Sequence, residues 1–172
     1  MKRIAKFSMV SRDRFLADWQ NAFPACGAEE AARIYQEIRL PERATAGSAG
    51  YDFFAPAPFS LAPGESIKIP TGIRVRIEAG WVLQCYPRSG LGFRYRLQLN
   101  NTVGIIDSDY FFADNEGHIQ IKLTNASTEG KTLFVAAGEG FAQGVFVPFG
   151  ITEDDHATAA RHGGFGSTTE KA

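Results

Sequence analysis

Two carboxylates and a tyrosine close a run that otherwise reads as a strand. In "NTVGIIDSDY", Asp107 and Asp109 follow β-branched residues and flank Ser108 beside Tyr110. A carboxylate set in a cleft can take a proton from water as a general base. The same residues also suit an Asx turn at a strand end. One of the two acids is expected to face a pocket while the other serves the fold. A second group is "PRSGLGFR", where Arg88, Ser89 and Gly90 offer a guanidinium, a hydroxyl and unhindered backbone N–H groups. That is equipment for phosphate oxygens, although an Arg–Ser–Gly turn needs no ligand. A third is "AGSAGYDFFAP", where Asp52 sits just past Gly47 and Gly50. Gln143 interrupts the apolar run "GFAQGVF", and a buried amide there needs partners. Last is the tail, "RHGGFGSTTEKA", with Arg161, Phe165, Gly166, Ser167 and Thr168. An aromatic in a glycine arm has no core to enter and can stack on a flat ligand. Each segment alone has a plain structural explanation. Together they suit a planar group attached to phosphates, hence a nucleotide hydrolase.

The elements that must hold these groups divide the 172-residue chain into three parts. Residues 1–40 form an N-terminal extension. Phe15, Leu16, Trp19 and Phe23 recur at helical spacing, as do Ala31, Ile34, Tyr35 and Ile38, with Pro24 and Gly27 between them. Two short amphipathic helices are expected, packed on the main domain. Residues 41–151 read as many short strands: "GIRVRI", "WVLQCYP", "HIQIKL", "TLFVAA" and "GVFVPF". "APGES" and "ASTEGK" have tight-turn composition. That pattern argues for a sandwich, jelly roll or barrel. Residues 152–172 form the Gly-rich arm, expected to be mobile.

Composition excludes several classes. The formal net charge of −1 gives no global attraction for nucleic acid or an anionic membrane, so a polyanionic ligand must be held by local cations. Cys26 and Cys85 are far apart and form no CxxC, so they fit free thiols in a reducing cytoplasm. Cys85, in an apolar run, reads as buried. His118, His156 and His162 are scattered and make no zinc spacing. No apolar stretch approaches bilayer length, and the N-terminus lacks a signal-like apolar core. The protein is read as cytoplasmic.

Five segments in order, "SAGYDFFA", "PRSGLGF", "NNTVGIIDSDY", "GFAQGVF" and "RHGGFGST", resemble the motifs of the trimeric dUTP diphosphatase (dUTPase) family. They span about Arg43 to Thr168. The resemblance implies an all-β, dUTPase-like β-clip or jelly-roll core and a homotrimer with sites shared between subunits. It implies hydrolysis of dUTP to dUMP and pyrophosphate with Mg²⁺, which limits uracil incorporation into DNA. By resemblance Asp107 is the general base that activates water for attack on the α-phosphorus. Asn101 reads uracil with the backbone of Gly104, Ile105 and Ile106, and Tyr110 packs on the deoxyribose. Arg88, Ser89 and Gly90 match the phosphate-contacting loop. Gln120 and Gln143 fall among the substrate-binding positions, and Asp52 matches a residue that reaches the metal through water. Arg161, Gly166, Ser167 and Thr168 belong to the arm that closes on the γ-phosphate, with Phe165 stacking on uracil.

The sequence departs from the family pattern in three places. "FFADNE" stands between Tyr110 and Gly117, where a glycine ordinarily follows the tyrosine closely, so an enlarged loop is expected near the site. Gly140 and Phe141 stand where an arginine is usual at the start of the fourth motif, and Arg161 is one residue nearer Phe165 than in the commoner form. Two other functions were weighed. A dCTP deaminase of the same fold would need an acid where "GHIQIK" has Lys122. A non-catalytic nucleotide-sensing or protein-binding module would use the helices or exposed Phe111 and Phe112.

Overall fold

A computed structural model describes residues 2–159, 161 and 163. β1 (Ala5–Met9) opens the chain, followed by α1 (Arg12–Ala22) and α2 (Ala28–Gln36). Then come β2 (Tyr51–Phe54), β3 (Phe59–Leu61), β4 (Ser66–Pro70), β5 (Ile73–Ile77) and β6 (Trp81–Pro87). α3 (Ser89–Tyr95), β7 (Leu97–Leu99) and β8 (Gly104–Ile106) lead into a 3-10 turn, Ser108–Phe112. β9 (Gln120–Asn125), β10 (Leu133–Val135) and β11 (Gly140–Pro148) complete the core. The strands form four small antiparallel sheets, ordered β2-β11-β6-β8, β4-β9-β7, β1-β5 and β3-β10.

Alternation builds this core. Ile73, Val75 and Ile77 of β5 are buried, as are Ile121 and Leu123 of β9 and Leu133 and Val135 of β10. They join Phe53, Leu83, Ile106 and Phe141 in one cluster. The burial of these branched and aromatic side chains is the main driving force for the fold. Cys85 is part of this cluster, and burial pushes its thiol up to about 12.

Both expected helices are present, and they pack on the sheet domain. Phe15 stacks on Trp19 with ring centroids 5.3 Å apart, and these residues form a satellite cluster with Val10 and Ala31. Tyr35 Oη donates to the carbonyl of Val10 at 2.8 Å. The sequence reading missed β1, which pairs along its full length with β5. Five residues beside a charged terminus are too short to show period-2 alternation against the helical pattern that follows.

Candidate active site

β7 and β8 are not partners. β7 pairs with β9 and β8 pairs with β6, so "NNTV" carries the chain between two sheets and not around a hairpin. The turn is tight: Thr102 N–H donates to Leu99 O at 3.0 Å, and Thr102 takes a φ of 61°. Separating the two strands opens a cavity of about 730 Å³. Asn101, Gly104 and Ile106 line one side, Gln120 and Lys122 another, and Cys85 sits deeper. Four of the expected nucleoside contacts are therefore brought to one cavity. Ile105 alternates away, with its side chain about half exposed, leaving only its backbone beside its neighbours.

Asp107 follows directly, as the cap of the 3-10 turn, with extended backbone (φ −75°, ψ 159°). Asp107 and Asp109 are not turned to opposite sides, as alternation along a strand would have them. The chain bends into the turn after Asp107, and both acids meet one guanidinium. Arg161 Nη2 donates to Asp107 Oδ2 at 2.6 Å and Nε to Asp109 Oδ1 at 3.0 Å. Arg161 is well covered while the two carboxylates are about half exposed. Tyr110 is buried, and its hydroxyl donates to the carbonyl of His118 at 2.9 Å. Burial pushes that phenol up, with Asn115 and Arg161 opposing the shift. Asn115, which follows Tyr110 in the enlarged loop, also lines the cavity; the sequence reading did not single it out.

A second group forms where β2, β11 and β6 run side by side. Gln143 lies across from Asp52 on one flank and from Tyr86 on the other. Gln143 Nε2 donates to Pro87 O at 3.2 Å, and Arg88 Nε lies 3.4 Å from Asp52 Oδ1. Gly140 permits this: a Cβ there would stand 2.8 Å from Arg88 Nη1. The residue that replaces the family's usual arginine thus makes room for another one. Arg88, Ser89 and Gly90 begin the short helix α3 rather than a loop, with Arg88 as its N-cap.

The register separates the two groups. Leu83 of β6 faces Ile106, while Pro87 faces Ala142 at the opposite end of the strand. At the ordinary strand rise, Asp107 and Arg88 of one chain lie roughly 15–20 Å apart along the sheet. Among the described residues no group of three or more His, Cys, Asp or Glu side chains could hold a metal ion. Asp52 is a lone, mostly covered carboxylate. Such a donor set fits a hard cation held chiefly by a ligand's own oxygens, as Mg²⁺ is on phosphates. Phe165, Gly166, Ser167 and Thr168 lie outside the described residues.

The dUTPase family model matches residues 36–169, leaving β1, α1 and nearly all of α2 outside. The chain is 43% identical over 134 residues to the deoxyuridine 5'-triphosphate nucleotidohydrolase of Lactococcus lactis subsp. lactis (strain IL1403), covering 76% of this chain and 88% of that one. It is 42% identical over 146 residues to the enzyme of the same name from Tolumonas auensis (strain DSM 9187 / NBRC 110442 / TA 4), covering 80% and 91%. Among solved structures, the dUTPase from Streptococcus mutans superposes with a TM-score of 0.62 at 30% identity, over 86% of this chain and 98% of that chain. With the family model spanning both residue groups and the close relatives carrying the same name throughout, this chain belongs to the dUTPase family.

Proposed function

We propose that the protein hydrolyses dUTP to dUMP and pyrophosphate, in sites that each draw on more than one subunit of a homotrimer. The observation that carries this reading is the separation of the two residue groups. The cavity with Asn101 and Gly104 suits the nucleoside, and Asp107, next after its wall residue Ile106, suits the α-phosphorus. The Arg88–Asp52–Gln143 group suits the remaining phosphates, yet in one chain it lies too far along the sheet to meet the same ligand. A neighbouring subunit's copy completes the site.

Within it, the Asp107 carboxylate takes a proton from a water molecule that attacks the α-phosphorus. The bond to the bridging oxygen of the β-phosphate breaks, and pyrophosphate leaves with that electron pair. Asn101 and the backbone from Gly104 to Ile106 read the polar edge of uracil, Gln120 lines the same cavity, and Tyr110 backs the deoxyribose. Arg88, with Ser89 and Gly90, binds phosphate oxygens, and Gln143 and Asp52 hold that arginine's surroundings. Arg161 holds Asp107 and Asp109 in the ligand-free chain. A triphosphate competes for its guanidinium by charge-assisted hydrogen bonds, and its departure frees Asp107 for base work. Phe165, Gly166, Ser167 and Thr168 complete the closing arm. When bound, Mg²⁺ supplies charge neutralisation on the phosphates, with Asp52 as the protein oxygen nearest in kind to its needs. A carboxylate is a weak base, so positioning and electrostatics supply much of the acceleration.

The test incubates the protein with dUTP, dCTP, dTTP and UTP, each with Mg²⁺ or with chelator, and quantifies pyrophosphate. Selective, metal-dependent release from dUTP is the expected result. Ammonia release from dCTP, or no turnover of dUTP, overturns it.

A further inference from the structure

The segment "FFADNE", which enlarges the loop after Tyr110, reaches back into the cavity through one side chain. Asn115 lines the cavity beside Asn101 and Gln120. Its Nδ2 donates to Tyr110 Oη at 2.8 Å, and its Oδ1 accepts from Gly117 N–H at 3.1 Å. These two bonds use one of the amide's two hydrogens and one of its oxygen's two lone pairs. The others remain for a ligand in the cavity. The turn that delivers the amide is tightly constrained. Gly117 takes a φ of 68°, and a Cβ there would lie 2.6 Å from Tyr110 O. Glu116 accepts a positive φ of 60° next to it.

The N-terminal extension clamps the same loop. Glu116 accepts from Ser11 N–H at 2.7 Å and from Ser11 Oγ at 2.6 Å. Ser11 in turn caps α1, accepting from Arg14 N–H at 3.2 Å. In a capping box a glutamate within the helix binds the cap residue's N–H; here a carboxylate more than a hundred residues away does so. Arg74 Nη2 donates to Phe111 O at 2.6 Å, and its guanidinium carbon lies 3.7 Å from the centre of the Phe111 ring. Next to the loop, fully buried His118 accepts at Nε2 from Gly72 N–H at 2.8 Å, so its Nδ1–H donates to Asp18 of α1 at 2.6 Å.

We infer that Asn115 is a substrate-positioning residue: it fixes Tyr110 and presents an amide to the pentose of a bound deoxynucleotide, with α1 holding it in place. This rests on the dUTPase reading of the cavity. A fixed tyrosine discriminates against a 2′-hydroxyl only while it cannot move aside, and the Asn115 amide holds its hydroxyl by a hydrogen bond.

The test measures dUTP and UTP hydrolysis by wild type, Asn115→Ala and Asn115→Asp. The aspartate retains the acceptor for Gly117 N–H, so the turn survives, while the donor to Tyr110 is lost. Both variants are expected to raise KM for dUTP about tenfold with kcat within about threefold, and to lower the dUTP-to-UTP ratio of kcat/KM about tenfold, the scale of one lost hydrogen bond. The inference is overturned if both fold, by circular dichroism, and keep KM and the ratio within twofold of wild type. It is overturned too if kcat alone falls. Failure of wild type to turn over dUTP instead removes the reading beneath it.

Discussion

The two halves of the site are built differently. Asp52 and Gln143 come from adjacent strands and Arg88 directly follows a third, so their alignment follows from β-sheet register. Asn101, Asp107 and Asn115 come from a sheet-switching turn, a 3-10 cap and a loop held by a distant helix. Register is specified wherever one face of a strand is buried, so the first half is robust. The second depends on contacts between parts of the chain far apart in sequence, and in the proposed function it carries the groups that choose the nucleoside. On that proposal the strands meet phosphates, which every nucleotide shares, and the less regular turns meet the base and sugar that distinguish one nucleotide from another.

The largest expected effect lies at Asp107. Asp107→Asn should lower kcat by about 10²–10⁴-fold, the range for a positioned general base, while a non-hydrolysable dUTP analogue still binds. Pyrophosphate release and calorimetric titration separate the two. Arg88→Ala removes a charge-assisted contact and should lower kcat/KM about 10–100-fold. These variants also test the division of the site. If each site joins Asp107 of one subunit to Arg88 of another, trimers refolded from a mixture of both variants regain a fraction of wild-type activity. No recovery in verified mixed trimers places both groups in one chain's site.

Smaller effects should appear at the clamp. Ser11→Ala removes a helix cap worth about 1 kcal/mol, a loss of about 2–4 °C in Tm for a chain of this size. Glu116→Gln should act in the same direction, and calorimetry checks both. Burial works against the charged form of Glu116, but hydrogen bonds from Ser11 and the charges of Arg74 and Arg14 outweigh it and lower its pKa. Its folded pKa is below its unfolded value, so its contribution is present above the usual glutamate range and is lost as pH falls through the folded pKa. Wild type should therefore lose more Tm than Glu116→Gln on acidification below about pH 4.5. Near neutral pH the smallest effect concerns Cys85. Its raised pKa makes stability fall as pH rises from about 9 towards 12, and Cys26, half exposed, should react with a thiol reagent first.

Strand content was legible because burial on one face writes period-2 alternation into "GIRVRI" and "HIQIKL". α1 and α2 were legible for the corresponding helical reason. The expected nucleoside contacts Asn101, Gly104, Ile106 and Gln120 do meet at one cavity. β1 was not legible, since a short edge strand needs its partner β5 to declare itself. Nor was Asn115: "ADNE" has the composition of any polar turn, and nothing local says that its one amide faces a cavity.

The amino-acid sequence alone determined the kinds of element, the order of the motifs and the residues equipped for phosphate and proton chemistry, because these follow from side-chain type and short-range periodicity. Tertiary structure decided which of them meet. Pairing register set Arg88 apart from Asp107 in one chain, and the bend after Asp107 brought both acids to Arg161. Long-range hydrogen bonds joined α1 to the loop that carries Asn115. Such contacts depend on distances between segments remote in the chain, which no local pattern encodes.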